Sequence, residues 1–175
     1  MLVTILIVLV LIIGGFLIFA ATRPDTFKVQ RTATINAPPQ KIFPLISDFH
    51  NWPLWSPWEK LDPAMKKTIT GAPSGKGAIY EWDGNSKAGK GRMEIVDAVV
   101  PSRVDIKLDF EKPFRSNNRT EIALAPEAAA TRVTWTMTGA SAFMMKVMGV
   151  FMNMDNLIGK DFEAGLASMK AIAEK

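Results

Sequence analysis

Between Lys66 and Gly139, apolar and polar side chains alternate through six stretches: KKTIT, GAIYEWDG, GRMEIVDAVV, SRVDIKLDF, RTEIALAP and TRVTWTMTG. Successive side chains of a strand point to opposite faces, so a period of two marks half-buried strands rather than helices. The separators GAPSGKG, NSKAGK, VPS, EKPFRSNN and PEAAA carry the turn-forming residues that hairpin connections need. In SRVDIKLDF, Val104, Ile106, Leu108 and Phe110 share one face, and Arg103, Asp105, Lys107 and Asp109 share the other. Alternation this clean belongs to an antiparallel sheet covered on one side only.

The flanking segments supply the cover. FKVQRTATIN predicts a further strand, with Phe27, Val29, Arg31 and Ala33 on one face. In APPQKIFPLISDF the Pro38-Pro39 pair suits a helix start, and Ile42, Phe43, Leu45, Ile46 and Phe49 form a broad apolar face. Pro44 removes a backbone hydrogen bond, so this helix is expected to be short or kinked. NWPLWSPWEK, with two prolines, predicts a turn and at most another short helix. After the last strand, SAFMMKVMGVFMNM reads as helix, with Met144, Met148 and Met152 one turn apart. Ile158, Phe162, Leu166, Met169 and Ala173 then recur at helical spacing, which predicts a long C-terminal helix lying on the concave face of the sheet.

The first 22 residues, MLVTILIVLVLIIGGFLIFAAT, contain no charged side chain. At about 1.5 Å per residue, a helix of this length crosses a bilayer core of about 30 Å. A cleaved secretory signal is the rival reading, although such signals carry basic residues ahead of a shorter apolar run. An uncleaved single-pass anchor is expected over residues 1–22, a linker over 23–26 and one domain over 27–175. Arg23, Lys28 and Arg31 follow the span, which favours a cytoplasmic domain on an inner or plasma membrane.

Composition narrows the chemistry. There is no cysteine, which excludes disulfides and cysteine-held zinc or iron–sulfur sites. His50 is the only histidine, so neither a histidine metal cluster nor a Ser-His-Asp arrangement with spare partners can be assembled, and a loop position is expected for it. The glycines at 75, 77, 84, 89 and 91 punctuate hairpins instead of opening a helix after a strand, so they form no phosphate cradle. The formal charge of +4 lies entirely beyond the anchor, without a run of Lys and Arg dense enough for nucleic acid.

The order strand, two short helices, six strands, long helix is that of a helix-grip fold of the α+β class. With TINAPPQKIFPLISDFHNWPLWSPW, GKGAIYEWDGNSKAGKGRMEI, TRVTWTMTG and DFEAGLASMK in that order, the chain from Phe27 to Lys175 resembles the START-like (SRPBCC, Bet v 1-like) superfamily, in its bacterial polyketide cyclase/dehydrase and lipid-transport branch. The resemblance implies a curved seven-stranded antiparallel sheet wrapped around the last helix, with a hydrophobic cavity between them. It implies no cofactor.

Several residues are candidates for the cavity lining. Trp52, Trp55 and Trp58 recur every three residues in a proline-broken segment that, by the resemblance, frames the cavity mouth. Trp55 and Trp58 are the candidate wall, and Trp52 pins the segment. Alternation turns Tyr80 and Trp82 inward and sends Glu81 and Asp83 to solvent, which counts against a paired-carboxylate mechanism. The same parity places Met93, Ile95, Phe110, Val133, Trp135 and Met137 inside and Glu94 outside, with plain core packing and ligand contact both open. Tyr80 and Arg119 are candidates to orient a polar head group. Phe143, Met144, Met145, Met148, Phe151, Met152 and Met154 form a soft apolar segment. Ordinary packing is one reading of it, and it is balanced by two others taken together: a flexible lid, with Met148 and Phe151 on the ligand, and a surface resting on the bilayer. The expected function is binding of a hydrophobic small molecule, such as a lipid, an isoprenoid or a polyketide-like compound. A cyclase or dehydratase using the same cavity is the first alternative, though no inward acid/base pair is evident. A protein-interaction module akin to chaperone-regulating members of the superfamily is the second.

Overall fold

Hairpin follows hairpin from Lys66 onward, and the alternation becomes one curved sheet. The computed structural model describes residues 1–151 and 153–175, with the backbone alone at Phe151 and Met154. Helix α1 (Leu2–Ala21) leads into β1 (Thr26–Ile35), α2 (Pro39–Ser47) and two 3₁₀ turns, Phe49–Leu54 and Pro57–Lys60. Then come β2 (Lys66–Gly71), β3 (Ala78–Asp83), β4 (Lys90–Val99), β5 (Arg103–Lys112), β6 (Ser116–Glu127) and β7 (Ala130–Ala140). Helices α3 (Phe143–Phe151) and α4 (Met154–Ala173) end the chain. The strand order is β1-β7-β6-β5-β4-β3-β2 and every pairing is antiparallel. Only the β1–β7 pairing joins distant parts of the chain. An irregularity between Ile95 and Asp97 lets Val96 bulge out of β4, a device that adds twist and bend to a sheet.

Helix α2 has nine residues, with Pro39 in its first turn, where the missing N–H costs nothing, and Pro44 on its exposed side. Carbonyls left over at its C-terminal end are taken by the tryptophans that follow. Trp55 Nε1 donates to Leu45 O at 2.8 Å, and Trp52 Nε1 donates more weakly to Ile46 O at 3.4 Å.

Helix α4 lies in the concavity, against β1 and α2, with Phe162, Leu166 and Met169 buried. Two glycines allow the close approach. A Cβ at Gly165 would meet the Trp135 ring at 2.9 Å, and one at Gly159 would collide with the Arg31 guanidinium. Arg31 is the charged residue on the inward face of β1. Its Nε donates to Glu163 Oε1 at 2.7 Å, and its Nη2 donates to Asp155 Oδ2 at 3.0 Å. Farther along, Lys170 Nζ donates to Thr34 O and the Asn36 backbone N–H donates to Glu174 Oε1. The first strand thus holds the last helix along much of its length.

Helix α1 is long and apolar enough to cross a membrane, with a mean hydropathy of 3.2, a property that signal sequences share. Helix α3 packs against α1, and Lys146 of α3 pairs with Asp25 just before β1.

Candidate functional site

Pairing register sorts the concave face into rows. The deepest described here runs Val104, Ile122, Trp135, Arg31, and the next runs Ile95, Ile106, Thr120, Met137, Val29. A third runs Ile69, Tyr80, Met93, Leu108, Asn118, Gly139, Phe27, and the outermost runs Lys67, Trp82, Gly91, Phe110, Ser116. Exposure rises along this sequence of rows. Val104, Ile95, Ile106 and Ile122 are at 0%, Leu108 is at 7% and Trp82 at 9%, while Phe27, Met93 and Phe110 are only half-buried. The outer two rows form an apolar trough that is incompletely covered.

Two glycines shape this trough. A Cβ at Gly91 would strike the indole of Trp82 at 2.5 Å, and one at Gly139 would collide with Asn118 Oδ1 and meet Phe27 at 2.7 Å. Small residues at these points let neighbouring side chains lie flat across the sheet.

The aromatic residues form one connected path from rim to helix. Phe110 meets Trp82 at 5.5 Å between centroids, Trp82 meets Tyr80 at 6.2 Å, and Tyr80 meets Phe49 at 5.8 Å. Phe49, Trp52, Trp55 and Trp135 continue it at 5.2, 4.9 and 5.2 Å. Trp135 stacks on Phe162 at 4.1 Å with planes 5° apart, and Trp58 stands edge-on to both at 5.6 and 6.0 Å.

The candidates therefore separate. Tyr80, Trp82, Met93 and Phe110 all lie on the concave face, in the outer two rows. Trp58 is half-buried over Trp135 and Phe162, near the Asp161 carboxyl of α4. Trp55, 2% exposed, and Trp135, 1% exposed, sit in the sealed core, where Trp55 holds the end of α2. Arg119 is exposed on the opposite, convex face, across from Thr138 and Lys107. Parity along β6 is the reason: with Ile122 and Leu124 inward, Thr120 and Asn118 are inward and Arg119 is not. Arg119 therefore cannot orient a head group in the trough. With Lys28 and Lys107 it borders a shallow surface depression of about 560 Å³ instead. Met148 is an exposed residue of α3, the helix that packs against α1. The Phe151 side chain and Met152 lie outside the described residues. His50 is exposed in a 3₁₀ turn, with Nδ1 2.7 Å from Asp48 Oδ1.

Several polar residues of this face carry no distinctive sequence motif. Glu59, whose side chain is 8% exposed, accepts from Tyr80 Oη at 2.6 Å on one oxygen and from Lys67 Nζ at 2.6 Å on the other. Burial and the Glu59 carboxylate raise the Tyr80 pKa, so the phenol stays protonated as a donor. Asp161 is a half-buried carboxyl whose pKa burial raises. Asn118 Oδ1, Thr120 Oγ1 and Trp135 Nε1 are buried without a hydrogen-bond partner among the described residues. Parity would have found Asn118, Thr120 and Lys67. Glu59 and Asp161 belong to no alternating strand and become visible only when the last 3₁₀ turn meets β2, β3 and α4. Among the described residues no group of three or more His, Cys, Asp or Glu could hold a metal ion.

This sheet-and-helix arrangement has relatives. The model for polyketide cyclase/dehydrase and lipid transport proteins matches residues 26–174. The chain belongs to that family. No curated protein matches it. Among solved structures, a protein from Chromobacterium violaceum is similar at 15% identity and a TM-score of 0.60, covering 87% of this chain and 99% of its own. The Aha1 dimer from Colwellia psychrerythraea is similar at 14% identity and a TM-score of 0.60, with coverage of 85% and 96%. BexL, a di-domain aromatase/cyclase of the BE-7585A biosynthetic pathway, is similar at 15% identity and a TM-score of 0.61. The match covers 90% of this chain and 53% of BexL, about half of a two-domain protein. At these identities the likeness establishes the helix-grip fold, and family membership supports a role in binding hydrophobic ligands.

Proposed function

We propose that the domain holds a lipid, an isoprenoid or a polyketide-like molecule in the trough between the sheet and α4, at the surface of a membrane in which α1 is anchored. The observation that carries this reading is the gradient of exposure on the concave face. Half-buried Phe27, Met93 and Phe110 adjoin a core at 0% exposure, and half-buried Trp58 faces that core from the last 3₁₀ turn. Covering such residues with an apolar chain gains about 25 cal/mol per Å² removed from water. The division into residues 1–22 as anchor, 23–26 as linker and 27–175 as binding domain belongs to this proposal. Exposed Phe143 and Met144, on the helix beside α1, support contact of that helix with lipid. Arg23, Lys28 and Arg31 after the span support a cytoplasmic domain.

Native mass spectrometry of the full chain, purified gently from its host, tests the ligand. A lipid-sized adduct is expected. An unliganded mass, together with no change in melting temperature across a lipid panel, would sink the reading. The absence of native cysteine makes Ser102→Cys a unique probe of sidedness. Protection from an impermeant thiol reagent in intact cells is expected, and labelling would overturn the cytoplasmic assignment.

One observation favours a second reading, catalysis on a hydrophobic substrate. Tyr80, Glu59 and Lys67 form a connected polar group at the trough, with Asp161 as a further carboxyl at Trp58. Under that reading Glu59→Gln abolishes turnover of a bound polyketide-like compound without weakening its binding. Equal loss of both would leave the group a structural one.

A further inference from the structure

Three polar atoms on the concave face have no partner among the described residues: Asn118 Oδ1, Thr120 Oγ1 and Trp135 Nε1. Their residues are 8%, 3% and 1% exposed. A buried polar group left unpaired is costly, and native proteins keep few of them. These three are not scattered. Asn118 and Thr120 lie two apart on β6 and so share its inward face. Thr120 faces Met137 on β7, and Trp135, two residues before Met137, lies diagonally across. The atoms thus descend through three consecutive rows, from the trough into the core.

All three groups are neutral, and their capacities differ. The indole N–H only donates, the threonine hydroxyl does both, and the asparagine amide offers one free atom because Nδ2 already donates to Ser116 Oγ at 3.3 Å. Exchanging the amide's O and N would leave a free donor in place of the free acceptor. A hydroxyl serves either arrangement, since it donates one bond and accepts others. The formal charges nearby are already placed. Arg31 is tied to Asp155 and Glu163, and Lys67 to Glu59. Asp161, at Trp58, stands against a second carboxylate.

We infer that the trough selects an uncharged, hydroxyl-bearing amphiphile whose head group lies on Asn118 and Thr120, with Trp135 beneath it. This rests on the ligand-binding reading proposed above and names the class of ligand. Gly139 is part of the device, since a side chain there would displace the Asn118 amide and the Phe27 ring that closes over it.

Four probes with one chain test it: 1-decanol, decyl methyl ether, decanoic acid and decylamine. Each is titrated against the full chain in detergent and followed by native mass spectrometry. Decanol is expected to bind about tenfold more tightly than the ether, the size of one buried hydrogen bond, and more tightly than the acid or the amine. Thr120→Val keeps the side-chain shape, and Thr120→Val with Asn118→Leu removes both β6 groups. Each is expected to shrink the preference for decanol over the ether, and the double variant to abolish it. Equal binding of alcohol and ether, or a preference unchanged in both variants, overturns the head-group inference and leaves the carrier reading standing. Tighter binding of the amine or the acid overturns it in favour of a charged ligand. Failure of all four to bind removes the carrier reading and this inference together.

Discussion

Replacing Phe162 by alanine tests whether α4 is held by the aromatic stack beneath it. The ring is fully buried, stacks on Trp135 at 4.1 Å and meets Trp58 edge-on at 6.0 Å. Truncating a buried phenylalanine costs about 3–5 kcal/mol, of which an aromatic pair accounts for about 0.5–1.5. A domain of this size loses about 2–4 °C of melting temperature per kcal/mol, so a fall of roughly 6–20 °C is expected. The helix is unable to collapse far into the void, because Arg31 holds it on Asp155 and Glu163 and the backbone at Gly165 already lies close to Trp135. The assay is thermal unfolding of the full chain in detergent, followed by tryptophan fluorescence. Leu157→Ala, an exposed position of the same helix, is the control and should shift stability by no more than about 0.5 kcal/mol. Indole, which fits the space a phenyl ring leaves, should restore part of the loss in Phe162→Ala and none in the control. A fall below about 4 °C, or no response to indole, would refute the claim that this stack seats the helix.

Other consequences are open to measurement. Gly159→Ala should lower stability by about 1–3 kcal/mol, because the added methyl displaces Arg31 from its two carboxylates, whereas Gly149→Ala, with open space around it, should gain up to about 1 kcal/mol from helix propensity; thermal melts of the pair decide. Tyr80 is the only tyrosine, and burial against Glu59 raises its pKa, so absorbance near 295 nm should show no tyrosinate as pH passes the ordinary value of 10.0, until the domain unfolds. The folded phenol's pKa is the higher one, so its contribution to stability is complete below that ordinary value and is lost as pH rises through the folded one. The Asp161 pKa is likewise raised, by burial, from 3.8, so the fold favours the neutral acid and loses that stability as pH rises through the folded value. Asp161→Asn should therefore melt higher than the unsubstituted chain at neutral pH, with the gap closing towards about pH 3; a gap independent of pH would show that the carboxyl is not desolvated.

Local physics made most of the architecture legible. A period of two set the inward and outward faces of β2 to β7, turn residues set their hairpins, and helical spacing set the buried stripe of α4. Tyr80, Trp82, Met93 and Phe110 were readable as inward for the same reason. At Arg119 the same parity, counted from Ile122 and Leu124, sends the side chain outward and brings Thr120 and Asn118 inward. The alternation also could not rank the inward residues by depth. Trp135 and Phe110 have the same parity, yet one is sealed under Phe162 and the other lies at the rim, because α4 crosses only part of the sheet.

What the sequence determined by itself is periodic: which segments are strands, which face of each is apolar, and that one apolar helix precedes them. Such properties depend on neighbours a few residues away. What only the tertiary structure decided depends on segments distant along the chain arriving at one place. Glu59 meets Tyr80 across 21 residues, and Arg31 meets Asp155 across 124, with Gly159 bare beneath it to make room. No local pattern encodes those meetings, because each is set by how far the sheet curves and where the last helix settles in it.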